Sequence, residues 1–212
     1  MTERGEAYCR GRLKRGTDFV LSALALVVLS PVFVLLAVAV IASSGRPILF
    51  RQDRIGVGGR PFRLFKFRTM RPSPGGGLLL TGCGDRRVTG LGRFLRTLKL
   101  DELPQLVNVL MGDMSLVGPR PEVARYVDLY TPEQRRILRV RPGLTDPATI
   151  QFRDEETLLG AVAEDRREAY YVSEILPRKL AINLEYVKKA GLLYDLRLMA
   201  GTVRSVLSPS KT

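Results

Sequence analysis

The stretch FVLSALALVVLSPVFVLLAVAVIA, residues 19–42, decides how this chain is built, because it contains no charged residue. As a helix it is long enough to span the hydrocarbon core of a bilayer, which needs about 20 apolar residues. A cleavable signal peptide is not expected, since the apolar run is too long and Ser43-Ser44-Gly45-Arg46 lacks a small-x-small cleavage pattern. The sequence therefore predicts a segment that lies in lipid.

Basic residues flank this apolar run on both sides. They are Arg4, Arg10, Arg12, Lys14 and Arg15 before it and Arg46, Arg51, Arg54, Arg60 and Arg63 after it. Because basic residues favour the cytoplasmic side of a membrane, both ends are expected there. Pro31 removes a backbone donor in the middle of the run and breaks the helix. We therefore predict a re-entrant helix-break-helix, with the Ser30 hydroxyl satisfying backbone groups that Pro31 frees. A plain kinked span is the alternative.

The composition restricts the chemistry that this chain supports. Lys and Arg total 34 against 21 acidic residues, and the net charge of +13 indicates an anionic partner such as phospholipid, a nucleotide, phosphate or nucleic acid. The absence of histidine excludes Ser-His-Asp and Cys-His catalysis and His-ligated metals. Cys9 and Cys83 form no CxxC pair, so a disulfide framework is not expected and a reducing compartment fits.

Two strands are predicted after the apolar run, over residues 48–50 and 62–70, around a glycine turn at residues 56–59. Alternation places Lys66 and Arg68 on one face of the second strand, where they are either solvated charges or phosphate ligands. The glycines complete neither a P-loop nor a GxGxxG motif. The stretch from Pro72 to Asp85 is predicted to be a loop over the site.

Amphipathic helices are predicted over residues 91–100 and 180–207, where apolar residues recur at helical spacing among basic ones. Such helices suit the surface of an anionic membrane, although a helix packed on a soluble core has the same periodicity. The predicted fold is thus α+β, with an N-terminal arm and re-entrant helix at 1–44. A cytoplasmic-face domain at 45–212 carries a short β-hairpin and amphipathic helices.

Asp101 and Glu102 are adjacent carboxylates where the apolar spacing predicts a new helix. One interpretation makes Asp101 an N-cap and Glu102 a first-turn acid, each stabilising the helix by up to about 1 kcal/mol. The other is functional, since a helix N-terminus attracts phosphate and two carboxylates can hold Mg²⁺ against a diphosphate. A nucleophilic carboxylate is then chemically reasonable.

The order of motifs resembles the bacterial sugar transferases called monotopic phosphoglycosyl transferases. The motifs are the Ser-Pro apolar segment, FRTM at 67–70, LDELPQ at 100–105, GDMSLVGPRP at 112–121 and VRPGLT at 140–145. The resemblance extends from about residue 12 to residue 200. Because no large N-terminal membrane domain precedes it, we expect the small, stand-alone form of that family.

This resemblance implies a two-step exchange that initiates a bacterial glycoconjugate. Asp101 would attack the sugar-proximal phosphate of a UDP-sugar and release UMP, and polyprenol (undecaprenyl) phosphate would then take the phosphosugar from the aspartate. Glu102 would position a Mg²⁺ ion or the incoming phosphate. The implied location is the cytoplasmic face of the inner membrane, on anionic phospholipid.

Four arginines besides Arg68 are candidates for phosphate binding. Arg120 lies in the rigid Gly118-Pro119-Arg120-Pro121 turn and is suited to clamp phosphate oxygens, while Arg141 lies beside Pro142-Gly143. Arg96 is expected to meet either lipid headgroups or the polyprenol phosphate. After Thr145 the chain departs from the Gly-rich pattern of many family members. Arg153 is matched there to the family arginine, and the sugar is not predicted.

Three other kinds of protein fit the sequence less well. A membrane adaptor explains the basic charge but not the clustering of Asp101-Glu102 with Arg120 and Arg141. A nucleic-acid-binding module is not favoured, because the basic residues are spread through apolar stretches without stacking aromatics. A multi-span transferase needs more than one apolar segment. The pathway and the oligomeric state, including a homo-oligomer, are left open.

Overall fold

The computed structural model of the protein describes residues 4–71 and 85–207. Within these ranges helices dominate and the strands form two small two-stranded sheets, in agreement with the predicted α+β class. The α-helices are α1 Arg4–Arg10, α2 Arg12–Val28, α3 Ser30–Ser44, α4 Gly90–Thr97, α5 Gln105–Met111, α6 Ala124–Val127, α7 Pro147–Gln151, α8 Glu155–Gly160, α9 Arg167–Tyr170, α10 Leu176–Lys189 and α11 Leu192–Leu207. The strands are β1 Leu49–Ile55, β2 Pro61–Phe67, β3 Ser115–Val117 and β4 Gly143–Thr145.

Two sequence predictions fall partly on residues outside these ranges. The loop predicted from Pro72 to Asp85 lies there except for Asp85, and so does Cys83. The division of the chain at residue 44 stays a prediction.

The apolar segment forms two helices that meet at a bend of 63°. Pro31 occupies the first turn of α3, where its missing N–H leaves no helical hydrogen bond unmade. The Ser30 hydroxyl donates to the carbonyl of Val27 at 2.8 Å. The break predicted at Ser30-Pro31 is therefore confirmed. Among the helices of the described ranges, none alone is long and apolar enough to cross a bilayer, and only α2 and α3 taken together reach that length and composition.

The helix pair packs one stripe of side chains on the rest of the chain and exposes the others. Leu36 and Val40 of α3 are buried with Phe67 of β2 and Leu95 of α4. The largely exposed apolar residues are Leu24, Val27, Val28, Val34, Leu35 and Val38. So large an apolar surface is unusual for a water-exposed helix and suits contact with lipid.

The predicted hairpin is present as the antiparallel pair β1 and β2, in which Phe50 lies opposite Lys66. Its turn contains Gly58 and Gly59 with φ of 68° and 76°, a conformation that favours glycine. The first strand is longer than predicted, and the second ends at Phe67 instead of Met70, which forms only an isolated bridge with Val88.

The parallel pair β3 and β4 was not predicted from the sequence. It joins the GDMSLVGPRP and VRPGLT segments, with Ser115 opposite Gly143 and Val117 opposite Thr145. A Cβ atom on Gly143 would lie 2.1 Å from the backbone nitrogen of Gly118, so only glycine allows this approach. The close contact places Arg120 just beyond the end of β3.

The helix predicted to begin near Asp101 begins at Gln105 instead. Asp101 and Glu102 lie in a single 3₁₀ turn, Leu100–Glu102, that precedes α5, and no side chain caps either element. Pro104 occupies the N-cap position of α5, and its side chain has no acceptor for the first N–H groups of the helix. The N-cap interpretation of Asp101 is therefore wrong.

The two predicted amphipathic stretches are helical, but the second one is divided. The first corresponds to α4, with Leu95 buried and Phe94 exposed. The second forms α10 and α11, separated at Ala190-Gly191. Helix α10 buries Leu180 and Tyr186 in the core, whereas α11 leaves Leu193 and other leucines exposed. The two alternatives predicted for this stretch were a helix on the membrane surface and a helix packed on the core, and α10 is packed on the core.

Candidate active site

A tight turn places the two carboxylates at the surface of a cavity. Lys99, which precedes the turn, has φ of 54°, a left-handed conformation that is uncommon for a residue with a Cβ. The 3₁₀ turn that follows carries Asp101 and Glu102, which are 7% and 8% exposed. The local backbone is thus bent to bring both acids to one place.

Glu102 is held between two cations. Nζ of Lys66 lies 2.7 Å from Oε1 of Glu102, and Nη2 of Arg120 lies 2.6 Å from the same oxygen. Nη1 of Arg120 also donates to Oε2 at 3.4 Å. Both oxygens of Glu102 are therefore engaged, by a strand residue on one side and by a residue following β3 on the other.

Asp101 differs from its neighbour in having an unpartnered oxygen. Oδ1 of Asp101 is buried and accepts no hydrogen bond from any described residue. A buried polar atom without a partner is costly and rare, and one accepted explanation is a ligand that supplies the partner. This oxygen is the group in the turn best placed to act on a bound molecule.

The two carboxylates have opposite pKa shifts. Burial raises the pKa of Asp101 to about 6, although the charge of Lys66 opposes it. Burial acts in the same direction on Glu102, but Arg120 and Lys66 outweigh it and hold the pKa of Glu102 well below its usual range. Burial also lowers the pKa of Lys66, against the effect of Glu102. Near pH 7 Glu102 is a fixed anion and Asp101 is a more basic, still largely ionised carboxylate.

A cavity of about 1020 Å³ opens beside this turn and brings together most of the predicted site residues. Those that line it are Asp101, Glu102, Lys66, Arg68, Arg96, Arg120 and Arg153. Lys66 and Arg68 both line the cavity, but so does Phe67 between them, and β2 ends before Arg68, so their predicted common strand face stays a prediction. The cavity has room for a drug-sized ligand.

Arg96 and Arg68 have partners within the described residues. Nη2 of Arg96 lies 2.6 Å from Oε1 of Glu156, so α4 is tied to α8 across the cavity. Arg68 donates from Nε to the carbonyl of Met70 at 3.2 Å and from Nη1 to that of Arg46 at 2.9 Å. These contacts orient the two guanidinium groups at the cavity wall.

Arg141 lies apart from the other predicted site residues. Its Nε donates to the carbonyl of Gly112 at 3.0 Å, and it lines a separate depression beside Arg12 and Arg15. Arg15 in turn donates to the carbonyls of Val109 and Leu110 at the end of α5. Both arginines thus contact backbone oxygens at the end of α5, and Arg141 is outside the lining of the main cavity.

Several polar cavity residues were missed from the sequence. Oε1 of Glu122 accepts a bond from the Tyr171 hydroxyl at 2.7 Å, and Oε2 lies 3.4 Å from Nη1 of Arg54. Nζ of Lys179 lies 2.8 Å from Oε2 of Glu155. The position of Glu122 directly after the GDMSLVGPRP motif was the available signal for it. Lys179 and Tyr171 lie in helical sequence, where no local pattern separates a cavity residue from a core residue.

The departure from the family pattern after Thr145 forms a helix cap. Oδ1 of Asp146 accepts from the backbone N–H of Thr149 at 3.0 Å, and Pro147 occupies the first turn of α7. This is the preferred arrangement at a helix N-terminus. The segment places Thr149 and Arg153 at the cavity.

Of the two carboxylates predicted to hold Mg²⁺, one fits the ion without a change in its contacts. The part of the chain described contains no group of three or more metal-binding side chains, but Mg²⁺ commonly takes one or two carboxylates together with substrate phosphates and water. Asp101 offers the unpartnered Oδ1, whereas both oxygens of Glu102 are engaged. Asp101 therefore fits as a ligand of the ion. Glu102 fits only if Lys66 or Arg120 gives up its contact with the carboxylate.

Comparison with known proteins gives a family and named relatives. The model of the family described as bacterial sugar transferase matches residues 9–209. A protein of Caulobacter vibrioides named UDP-glucose:undecaprenyl-phosphate glucose-1-phosphate transferase is 38% identical, over 92% of this chain and 70% of its own length. A protein of Escherichia coli K12 with the same name is 36% identical, over 90% of this chain and 39% of its own length.

A third relative acts on a different sugar. The Aeromonas hydrophila protein is named UDP-N-acetylgalactosamine-undecaprenyl-phosphate N-acetylgalactosaminephosphotransferase and is 36% identical, over 92% of this chain and 44% of its own length. This chain thus spans less than half of the Escherichia coli and Aeromonas relatives and about two thirds of the Caulobacter one. Similar identity to glucose and N-acetylgalactosamine transferases leaves the sugar undecided.

Proposed function

This chain belongs to the bacterial sugar transferase family, and we propose that it moves a sugar phosphate from a UDP-sugar to undecaprenyl phosphate. The names of the relatives support both substrates. The observation that carries the proposal is the contrast between Asp101 and Glu102. One carboxylate is buried, unpartnered and basic, and its neighbour holds two cations beside a large cavity.

The first step uses Asp101 as a nucleophile. A carboxylate oxygen of Asp101 attacks the phosphorus next to the sugar, the bond from that phosphorus to the bridging oxygen breaks, and UMP leaves with the bridging oxygen. The raised pKa of Asp101 makes it a stronger nucleophile than an ordinary carboxylate while leaving it ionised near pH 7. The product of this step is a phosphosugar joined to Asp101 as an acyl phosphate.

The second step regenerates the carboxylate. An oxygen of undecaprenyl phosphate attacks the same phosphorus, the bond to Asp101 breaks, and undecaprenyl diphosphate sugar leaves. Because both substrates react at one phosphorus, one site serves for both. The overall reaction exchanges one phosphoanhydride bond for another, so it needs mainly positioning and charge stabilisation from the protein.

The cations of the cavity would stabilise the phosphoryl charge. Lys66 and Arg120 are fixed by Glu102 and project toward the same place, so they are preorganised for a phosphate that approaches Asp101. Arg96, Arg68 and Arg153 line the rest of the cavity. Asp101 would hold a Mg²⁺ ion, which would neutralise further negative charge on the diphosphate.

The bent apolar helices would bring this site to its lipid substrate. In the proposed arrangement α2 and α3 enter the cytoplasmic leaflet of the inner membrane and return, so that the cavity lies near the phosphate headgroups. The exposed apolar side chains of both helices support lipid contact. A soluble UDP-sugar then enters from the cytoplasm, and the polyprenol phosphate enters from the membrane.

The deciding experiment separates the two steps. The detergent-solubilised protein is incubated with Mg²⁺ and each of a panel of UDP-sugars, and UMP is measured with and without undecaprenyl phosphate. We expect turnover with both substrates and, without acceptor, release of at most one UMP per protein with phosphosugar retained on Asp101. Asp101→Asn should show neither. Turnover by Asp101→Asn at the normal rate would reject Asp101 as the nucleophile, and no UMP from any UDP-sugar would reject the donor class.

A further inference from the structure

We propose that Asn108 is the positioning residue that sets the distances among Lys66, Glu102 and Arg120, an inference that rests on the function proposed above. Asn108 lies in the middle of α5 and is fully buried, at 0% exposed. It does not line the cavity. Its contacts instead reach β2, which carries Lys66, and the backbone that leads from α5 into β3.

The side chain of Asn108 bonds to the backbone of β2. Its Oδ1 accepts from the N–H of Phe65 at 3.1 Å, and its Nδ2 donates to the carbonyl of Arg63 at 2.7 Å. These two groups flank Leu64 and are those that a residue of a neighbouring parallel strand would use. A side-chain amide, with an acceptor and a donor on one carbon, can replace that strand residue.

This bond pair determines where Lys66 lies. Lys66 follows Phe65 in β2, so holding the Phe65 N–H fixes the backbone that carries the lysine. Glu102, the partner of Lys66, lies in the turn that leads into α5, the helix of Asn108. Helix α5 therefore follows directly on the turn that carries the carboxylate and also holds the strand that carries the lysine.

The backbone of Asn108 also fixes the path to Arg120. Its carbonyl oxygen accepts from the N–H groups of Gly112, Asp113 and Met114 at 3.1, 3.1 and 3.3 Å. Gly112 has φ of 95°, which turns the chain from α5 into β3. Strand β3 ends just before the turn that holds Arg120. The side chain of Asn108 thus holds the strand that carries Lys66, and its main-chain carbonyl holds the start of the segment that leads to Arg120.

Asn108→Asp tests the side-chain bonds with almost no change of shape. The carboxylate keeps an acceptor for the Phe65 N–H but places an oxygen against the carbonyl of Arg63, where no donor remains. Because a displacement of about 1 Å at a phosphoryl site can lower the rate about 100-fold, we expect kcat for UMP release to fall about that much. Asn108→Ala is the second variant if the aspartate does not fold.

A double-mutant cycle distinguishes positioning from general destabilisation. If Asn108 acts through Lys66, the Asn108 change should cost less than about threefold in a Lys66→Met background, because the group it positions is already absent. Val187→Ala is the matched control, since Val187 is also buried but lies in α10, in a cluster with Cys9 and Tyr186 that contains no residue of β2. The control should lower kcat by the same factor in wild-type protein and in the Lys66→Met background. If Asn108→Asp also lowers kcat by its full factor in the Lys66→Met background, the inference is overturned.

A second measurement does not depend on turnover. Acetylation of Lys66 by limiting acetic anhydride, followed by mass spectrometry, reports how firmly Glu102 holds its ammonium group. We expect labelling to rise about tenfold in the Asn108 variants and to change less than about twofold in Val187→Ala. Unchanged labelling in folded Asn108 variants overturns the inference. If wild-type protein releases no UMP, the proposed function fails, and this measurement alone then decides the role of Asn108.

Discussion

Lys14 of α2 and Asp195 of α11 form a buried ion pair, in which Nζ and Oδ2 are 2.6 Å apart and the residues are 3% and 2% exposed. Asp195 also accepts bonds from Tyr8 and Tyr186, and Lys14 lies 3.4 Å from Asp18. The base of the apolar helix pair is therefore attached to α11 by a largely buried charged network.

Removal of either partner of this pair should destabilise the protein strongly. We expect Lys14→Met or Asp195→Asn to lower the free energy of unfolding by about 3–5 kcal/mol, because the remaining charge stays buried without its partner. Chemical denaturation of the detergent-solubilised protein measures this.

Arg178→Ala is the matched control, because its partner Glu174 lies one turn away and both are exposed. That change should cost less than about 1 kcal/mol, as is typical of surface ion pairs. Equal losses for Arg178→Ala and Lys14→Met would contradict a special contribution from burial.

Arg120→Lys should impair catalysis although it conserves the charge. The guanidinium contacts both oxygens of Glu102, and an ammonium group offers no such fork. We expect kcat/KM for the UDP-sugar to fall about 10- to 100-fold with little loss of stability. Steady-state UMP release and a thermal melt measure the two effects. Arg125→Lys, at an exposed arginine of α6, is the control, and an equal loss there would contradict the role of Arg120.

Removal of magnesium should abolish transfer while leaving the carboxylate turn folded. The unpartnered Oδ1 of Asp101 and the phosphates of the substrate are the oxygens available for the ion. We expect EDTA to stop UMP release and added Mg²⁺ to restore it, with unchanged circular dichroism throughout. Full activity in EDTA would mean that Lys66, Arg120 and the other cavity cations neutralise the phosphates without a metal.

A re-entrant segment should place both of its ends on the cytoplasmic side. Single cysteines at Arg4 and Arg60, in a background with Cys9 and Cys83 replaced by serine, would be labelled with a membrane-impermeant maleimide. We expect both positions to react in inverted membrane vesicles and neither to react in intact spheroplasts. Labelling of the two positions from opposite sides would establish a plain span. Pro31→Ala should shift the distribution toward that span, because it restores a helical N–H at the bend.

Local patterns predicted the elements whose signals lie close together in the sequence. The break at Ser30-Pro31 followed from a missing backbone donor, and the hairpin followed from two apolar runs around Gly58 and Gly59. These properties depend on a few neighbouring residues, so the structure agrees with them. The start of the helix near Asp101 was wrong because Pro104 and the left-handed Lys99 shift α5 to Gln105.

By itself, the sequence determined which residues this protein could use: an apolar segment with a proline break, a carboxylate pair and basic residues in motifs typical of sugar transferases. Only the tertiary structure decided how they are paired. It joined Glu102 to Lys66 and Arg120, left Asp101 unpartnered and directed Arg141 to a backbone carbonyl. The physical reason is that the energy of a charged group depends on its distance from partners and on its burial, and both are set by contacts between segments far apart in the chain.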